Sequence, residues 1–306
     1  MIVGRPTLLD ASWLMHRAKH TMGELSHEGM TTGITFGFFQ QLLSVCNDPH
    51  VRSNRVGIFF DSRHSFRRDF YPSYKSSRNS GEKTPEEWSE KLVMGEQSIR
   101  LRKEILPDCG IPVYQQYGLE SDDLLASGAE QSDKADGCVI VTADGDLFQC
   151  ITTKVHWFDP QRTLYLDHLK FWAHKGVDPD QWAMVKAICG CSTDEVRGIE
   201  GVGEKGAIDY VLNVLPETGK KFASIASPEG QSVIARNLRL VKLPHRRTKP
   251  VQLVDPVFKP ERFFRWCEKL GFASYLDGGR KTQWEMFFDG NFTGSRMLAK
   301  RKVVRK

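Results

Sequence analysis

At 306 residues the chain is long enough for one large folded domain with a smaller partner, and no apolar stretch reaches the roughly 20 residues needed to span a bilayer. Forty-three Lys and Arg against 38 Asp and Glu leave a formal +5; because much of the acid is gathered at a few positions, the remaining surface is more basic than the total and suits a polyanionic partner. Seven cysteines without a regular framework, and a start lacking an apolar h-region, argue against a disulfide-stapled secreted protein and lead us to expect a reducing, cytoplasmic setting. In chain order, apolar runs at Thr7 to Asp10, Val56 to Asp61, Ile111 to Tyr114 and Cys138 to Val141 read as buried strands, and Val155 to Phe158 extends the set. Amphipathic stretches through about Cys46 and from Glu120 read as helices. This alternation predicts an α/β protein with a mostly parallel sheet covered by helices on both faces. The connection between Asp61 and Ile111 is unusually long, so the insertion at about 62–105 is expected to be functional or mobile. From Asp178 onward Trp182, Val185 and Ile188 recur at helical spacing. That gives a core over 1–175, a helical subdomain over 176–290 and a basic tail over 291–306.

The acids fall where strands end: Asp10, Asp61, then Glu120, Asp122 and Asp123, then Asp144 and Asp146. In an open α/β sheet the carboxyl ends of the strands face the crevice that holds ligands. So many carboxylates in one crevice repel unless hard cations lie between them. Taken singly, Gly118-Leu-Glu-Ser-Asp-Asp123 also reads as plain helix capping, and Asp144-Gly-Asp146 as a turn. Recurrence at four strand ends favours a magnesium site and phosphate chemistry. Two ions about 4 Å apart clamp the attacking and leaving oxygens of a phosphodiester. The Ser and Cys residues lack a His/Asp partner pattern, which argues against covalent catalysis.

Leu8-Leu-Asp10, Phe59-Phe-Asp61, Tyr74-Lys-Ser-Ser-Arg78, Gly118-Leu-Glu-Ser-Asp-Asp123, Thr142-Ala-Asp-Gly-Asp146 and Gly198-Ile-Glu-Gly-Val-Gly-Glu-Lys-Gly206, in this order, resemble the 5′-nuclease or flap endonuclease family. The resemblance covers roughly residues 6 to 215 and implies a PIN-like core, a helical arch and a helix-hairpin-helix at about 185–215. It implies that Asp10, Asp61, Glu120, Asp122, Asp144 and Asp194 coordinate two Mg2+ ions, with Mn2+ as a substitute, and that Asp123 and Asp146 stand in the first or second shell. One departure is visible: Gly190-Cys-Ser-Thr-Asp-Glu195 carries Cys191 where the family writes an aspartate, and Glu195 where it writes an asparagine. A thiol is a poor magnesium ligand, so the departure bears on the second metal position.

The stretch after Asp61 interleaves Arg63, Arg67, Arg68, Lys75 and Arg78 with Phe66, Phe70, Tyr71 and Tyr74, the mixture with which single-strand channels hold phosphates and stack bases. By resemblance it is the base of the arch: Arg67, Arg68 and Tyr74 hold DNA, while Lys75 and Arg78 stabilise charge on the scissile phosphate. Gly198 to Ala207 reads as a hairpin between two helices whose glycines let the backbone approach a phosphate; the resemblance implies that Gly201, Gly203 and Lys205 fall on its core and grip duplex DNA, with K+ as a monovalent partner. The tail places five positive charges within 300–306, a salt-dependent attraction for nucleic acid.

These features predict a metal-dependent 5′-nuclease of replication or repair, acting on 5′ ends, flaps and nicks in DNA and on RNA·DNA hybrids. It would be a monomer at the nucleoid or a phage replication site, with a single-strand-binding protein or polymerase as partner and no membrane. Two alternatives stay open: a DNA-structure-binding protein whose site has degenerated, and an α/β phosphatase or nucleotidase.

Overall fold

A computed structural model describes residues 1–22, 24–77 and 84–292. The chain runs through strand β1 (Thr7–Asp10), helices α1 (Ala11–Met22) and α2 (Gly33–Cys46), strand β2 (Val56–Phe59), helices α3 (Phe66–Phe70) and α4 (Pro85–Arg100) and strand β3 (Val113–Tyr114). It continues through α5 (Ser121–Asp133), β4 (Cys138–Val141), β5 (Val155–Asp159), β6 (Leu164–Leu166), α6 (Trp182–Cys189), β7 (Gly190–Cys191), β8 (Val196–Arg197), α7 (Glu204–Val211), α8 (Pro228–Val241), α9 (Pro260–Lys269) and α10 (Gly278–Asp289). Two compact units result, one of Met1–Phe60, Lys83–Tyr114 and Gln252–Lys306, the other of Asp61–Glu82 and Gln115–Val251. Parallel strands need long crossovers, so neither unit is one continuous block of sequence.

In the first unit β1 pairs with β2 in parallel, Thr7 opposite Val56 through Asp10 opposite Phe59, and β2 pairs with β3 in parallel from Ile58 and Val113. All four residues of β1 and of β2 are buried, as a sheet covered on both faces requires. The expected strand at Ile111 shortens to Val113–Tyr114. Pro112 has no N–H to donate; its carbonyl accepts from Ile58 N at 3.0 Å. Helices α1 and α2 pack on each other. An aromatic core gathers Phe36, Phe39, Phe263, Tyr275, Trp284, Phe287 and Phe288, with Phe263 and Trp284 centroids 4.3 Å apart.

In the second unit β4 and β5 are parallel, Cys138 opposite Val155, and β5 and β6 antiparallel; of the four pairings named in the two units three are parallel, as the strand, helix, strand order leads one to expect. The region after Asp178 is helical, with α6 packed on both α7 and α8. Asn237 on α8, fully buried, donates to the carbonyls of Ala187 and Arg197 at 2.8 and 2.9 Å and so ties α8 to α6 and β8. The short hairpin β7–β8 depends on glycine: Gly190 has φ +81°, and a Cβ on Gly198 would lie 2.2 Å from the Cys189 carbonyl carbon. No helix among the described residues is long and apolar enough to cross a membrane.

Candidate active site

The second unit gathers the acids around the start of α5. Asp61 Oδ1 accepts the Ser121 amide at 2.8 Å, which fixes Asp61 against the helix N-terminus where carboxylates are favoured. Glu120 stands just before that helix, and its Oε2 accepts from Lys75 Nζ at 2.8 Å and from the Tyr74 hydroxyl at 2.9 Å. The same two groups reach Asp194, Tyr74 at 3.3 Å and Lys75 at 3.5 Å. Glu120, Asp194, Lys75 and Tyr74 therefore form one cluster in which every side chain is largely buried. Burial alone would raise the Glu120 carboxyl, but the charges of Lys75 and Arg67 outweigh it and hold the group below the usual carboxylate range. Burial alone would lower the Lys75 ammonium; Glu120, Tyr74 and Asp194 push it well above its ordinary value instead.

At the end of β4 the chain turns at Gly145, and the Asp146 amide donates to Asp144 Oδ1 at 2.8 Å. Burial, and then the neighbouring Asp146 charge, raise the Asp144 carboxyl. Asp146 pairs at 2.9 Å with Lys186 of α6. Donor atoms of Asp146, Cys191 and Asp194 all lie within 4.8 Å of one another, a grouping able to hold a metal ion. Burial is the main cause that raises the Cys191 thiol, whose sulfur lies 3.1 Å from Thr193 Oγ1. Glu195, at φ 58°, accepts from Ser76 Oγ and from the Ser77 amide, and these bonds hold its carboxyl down at about 2. The Asp194 carbonyl accepts the Lys75 amide at 3.0 Å, and Lys75 itself adopts φ 51°. The loop after β7 thus fastens the segment that presents Lys75. Asp122 is half-buried in the first turn of α5. Asp10 lies in the first unit at the end of β1, where its Oδ1 accepts the Ser12 and Trp13 amides at 2.9 and 3.3 Å.

Three of the expected site residues lie in the interior of the fold. Arg67, expected on DNA, is 3% exposed and forms a bidentate pair with Asp123, while its Nε donates to the Leu240 carbonyl at 2.6 Å. Asp123, expected either to bind the metal or to support a residue that does, is fully buried and also accepts the His245 amide at 2.8 Å and the Glu120 amide at 3.2 Å, so both its oxygens are committed. Tyr74, expected to hold DNA, is buried with its hydroxyl on Glu120 and Asp194. Arg68 is half-buried beside the carbonyls of Tyr74 and Lys75. Gly201, Gly203 and Lys205 are exposed at and just before the start of α7, with Gly201 at φ +75°. Arg78 and the basic tail lie outside the described residues.

Two features escaped the sequence reading. Lys186 is the counter-charge of Asp146, and a cavity of about 590 Å³ is lined by Phe66, Phe70, Arg239, His245, Arg246 and Arg247. Arg239 lies 3.4 Å over the Phe70 ring and Arg247 4.4 Å over Phe66. The basic run His245-Arg-Arg247, flanked by Lys242 and Lys249, was the available signal.

Parallel strands with acids at their carboxyl ends, and two acids on a buried lysine, define the class of α/β proteins that hold ligands where their strands end. The chain matches a family model described as 5′-3′ exonuclease, N-terminal resolvase-like domain, over residues 5–176, and it belongs to that family. It is 32% identical over 207 residues to the thermostable DNA polymerase I of Thermus aquaticus, covering 67% of this chain and 23% of that protein. It is also 32% identical over 246 residues to DNA polymerase I of Chloroflexus aurantiacus, covering 74% and 25%. The chain thus spans about a quarter of the length of these relatives. Among solved structures, T5 5′-exonuclease with bound zinc superposes with TM-score 0.66 at 22% identity, covering 78% of this chain and 90% of that one. Human GEN1 in complex with Holliday junction DNA gives 0.56 at 14% identity, covering 99% and 75%. The fold is therefore that of T5 5′-exonuclease.

Proposed function

We propose that this chain is a divalent-metal-dependent 5′-nuclease that hydrolyses phosphodiesters near 5′ ends, flaps and nicks of DNA in replication or repair, and also the RNA strand of RNA·DNA hybrids. The observation that carries the reading is the junction of Glu120 and Asp194 on Lys75 and Tyr74, beside the Asp146, Cys191 and Asp194 donor group. Carboxylates fit Mg2+ or Mn2+, and DNA-bound and metal-bound relatives share the fold. Bound there, a divalent ion supplies an activated water and neutralises charge on the phosphodiester. Two such ions are assigned, with Asp61, Glu120, Asp122, Asp144, Asp146 and Asp194 of the second unit to hold them; Asp10 of the first unit keeps the metal-binding role that the family resemblance gives it. Lys75 balances the carboxylates and offers its ammonium to the developing charge on the scissile phosphate, with Arg78 assigned the same task. The Arg67–Asp123 pair positions the backbone of Glu120 rather than touching DNA.

Duplex is held by backbone contacts at Gly201, Gly203 and Lys205, with K+ at that hairpin, so sequence preference is slight. Arg68 and the cavity of Arg239, Arg246 and Arg247 add basic and aromatic contacts for a strand. The protein acts as a cytoplasmic monomer, with a single-strand-binding protein or a polymerase as partner. Cys191 in the donor group favours a second reading, a DNA-structure-binding protein without turnover. Cleavage of a 5′-labelled flap and a nicked duplex, with magnesium and with chelator, decides between them. We expect short 5′ products that vanish with chelator and in Asp144→Asn; binding without cleavage would establish the second reading.

A further inference from the structure

Among the donors near Lys75, one is not an oxygen. We propose that the Asp146, Cys191 and Asp194 group selects a thiophilic divalent cation, of the zinc or cobalt kind, over magnesium; the inference rests on the assignment of these residues to a metal position. Their donor atoms lie within 4.8 Å of one another. Ligands at about 2.0–2.3 Å from one ion are at most about 4.6 Å apart, so small side-chain adjustments bring all three onto a single ion. Magnesium demands oxygen donors in near-octahedral array and sheds water reluctantly, whereas thiolate favours zinc and its softer neighbours.

The surroundings suit such an ion. Cys191 is 7% and Asp194 8% exposed, so few waters are available to complete the shell that magnesium keeps. Three anionic donors around a divalent cation leave a formal −1. Lys186, 2.9 Å from Asp146, and Lys75, 3.5 Å from Asp194, stand where they offset that charge. Glu120, Asp122 and Asp144 offer oxygen alone, so the substitution at Cys191 gives the second unit two chemically different sets of donors.

The test is made without DNA, so it stands or falls separately from nuclease activity. Wild-type protein, Cys191→Ser and Cys191→Asp are freed of metal, checked for equal melting temperature and titrated with Co2+, following the sulfur-to-cobalt charge-transfer absorption. Alkylation of Cys191 in the wild type, read by peptide mass spectrometry, is compared with Zn2+ and with Mg2+ present. We expect the band in wild type and its loss in both variants, zinc affinity lower by on the order of ten- to a hundredfold in Cys191→Ser, and protection of Cys191 by zinc but not by magnesium. A wild type without the band, a band that survives in Cys191→Ser, or a thiol alkylated equally fast with zinc would each overturn the inference. The alkylation arm decides the matter alone if the variants do not fold.

Discussion

Arg67 and Asp123 show how a charge in a basic, aromatic stretch becomes part of the scaffold. The guanidinium fork meets both carboxylate oxygens, one at 2.7 Å, and the same oxygens accept the amides of Glu120 and His245. Asp123 is 0% exposed, so removing its cation leaves a buried, uncompensated charge. Such losses cost about 3–5 kcal/mol. Arg67→Met is therefore expected to destabilise the fold by that amount in urea denaturation, with an unchanged m-value; a change below about 1 kcal/mol would show that the pair is solvated in solution. Because Glu120 hangs from Asp123 through its amide, cleavage should fall further than the folded fraction does.

The elements that carry the site are short, and their positions follow from local rules. Glu195 accepts from Ser76 and Ser77 and lies next to Asp194, whose carbonyl accepts the Lys75 amide, so a three-residue turn after β7 orients the segment bearing the candidate catalytic lysine. Glu195→Ala removes the two acceptors and leaves the sheet untouched. The expected outcome is faster hydrogen exchange at the Ser77 amide and a fall in kcat on the order of ten- to a hundredfold, with DNA affinity preserved, since displacement of a reacting group by about 1 Å has effects of that size. Unchanged exchange would mean that the turn does not hold the segment. Strands β1, β2 and β4 are legible in sequence because Leu8-Leu9, Ile58-Phe59 and Val139-Ile-Val141 are buried apolar runs, and the acids at their ends follow from chain direction. Arg67 was not legible: a buried arginine and a solvated one look alike in a basic run, and its partner Asp123 lies 56 residues away. Lys186 was hidden for the same reason, since nothing in α6 announces that Asp146 faces it.

For the whole molecule the difficulty is charge. A formal +5 has to attract a polyanion although Asp61, Glu120, Asp122, Asp144, Asp146 and Asp194 stand where cleavage is proposed to occur. Basic groups away from those acids must supply the attraction, and in the second unit Arg239, Arg246 and Arg247 line one cavity with the faces of Phe66 and Phe70. Removing one cation that neutralises a phosphate lowers the slope of log affinity against log salt by about 0.9 on duplex and about 0.7 on single strands. Arg246→Ala with Arg247→Ala is therefore expected to flatten the slope by about 1.4 for a single-stranded oligonucleotide if both touch phosphates, measured by fluorescence anisotropy in chelator. Aromatic stacking adds little salt dependence, so Phe66→Ala should weaken binding at a nearly constant slope. Equal slopes for wild type and the double variant would place the strand elsewhere and leave the exposed segment at Gly201, Gly203 and Lys205, proposed to hold duplex, as the main grip. That outcome would also separate attraction from chemistry, because the acids around Lys75 would then act on a strand held entirely from the α7 side.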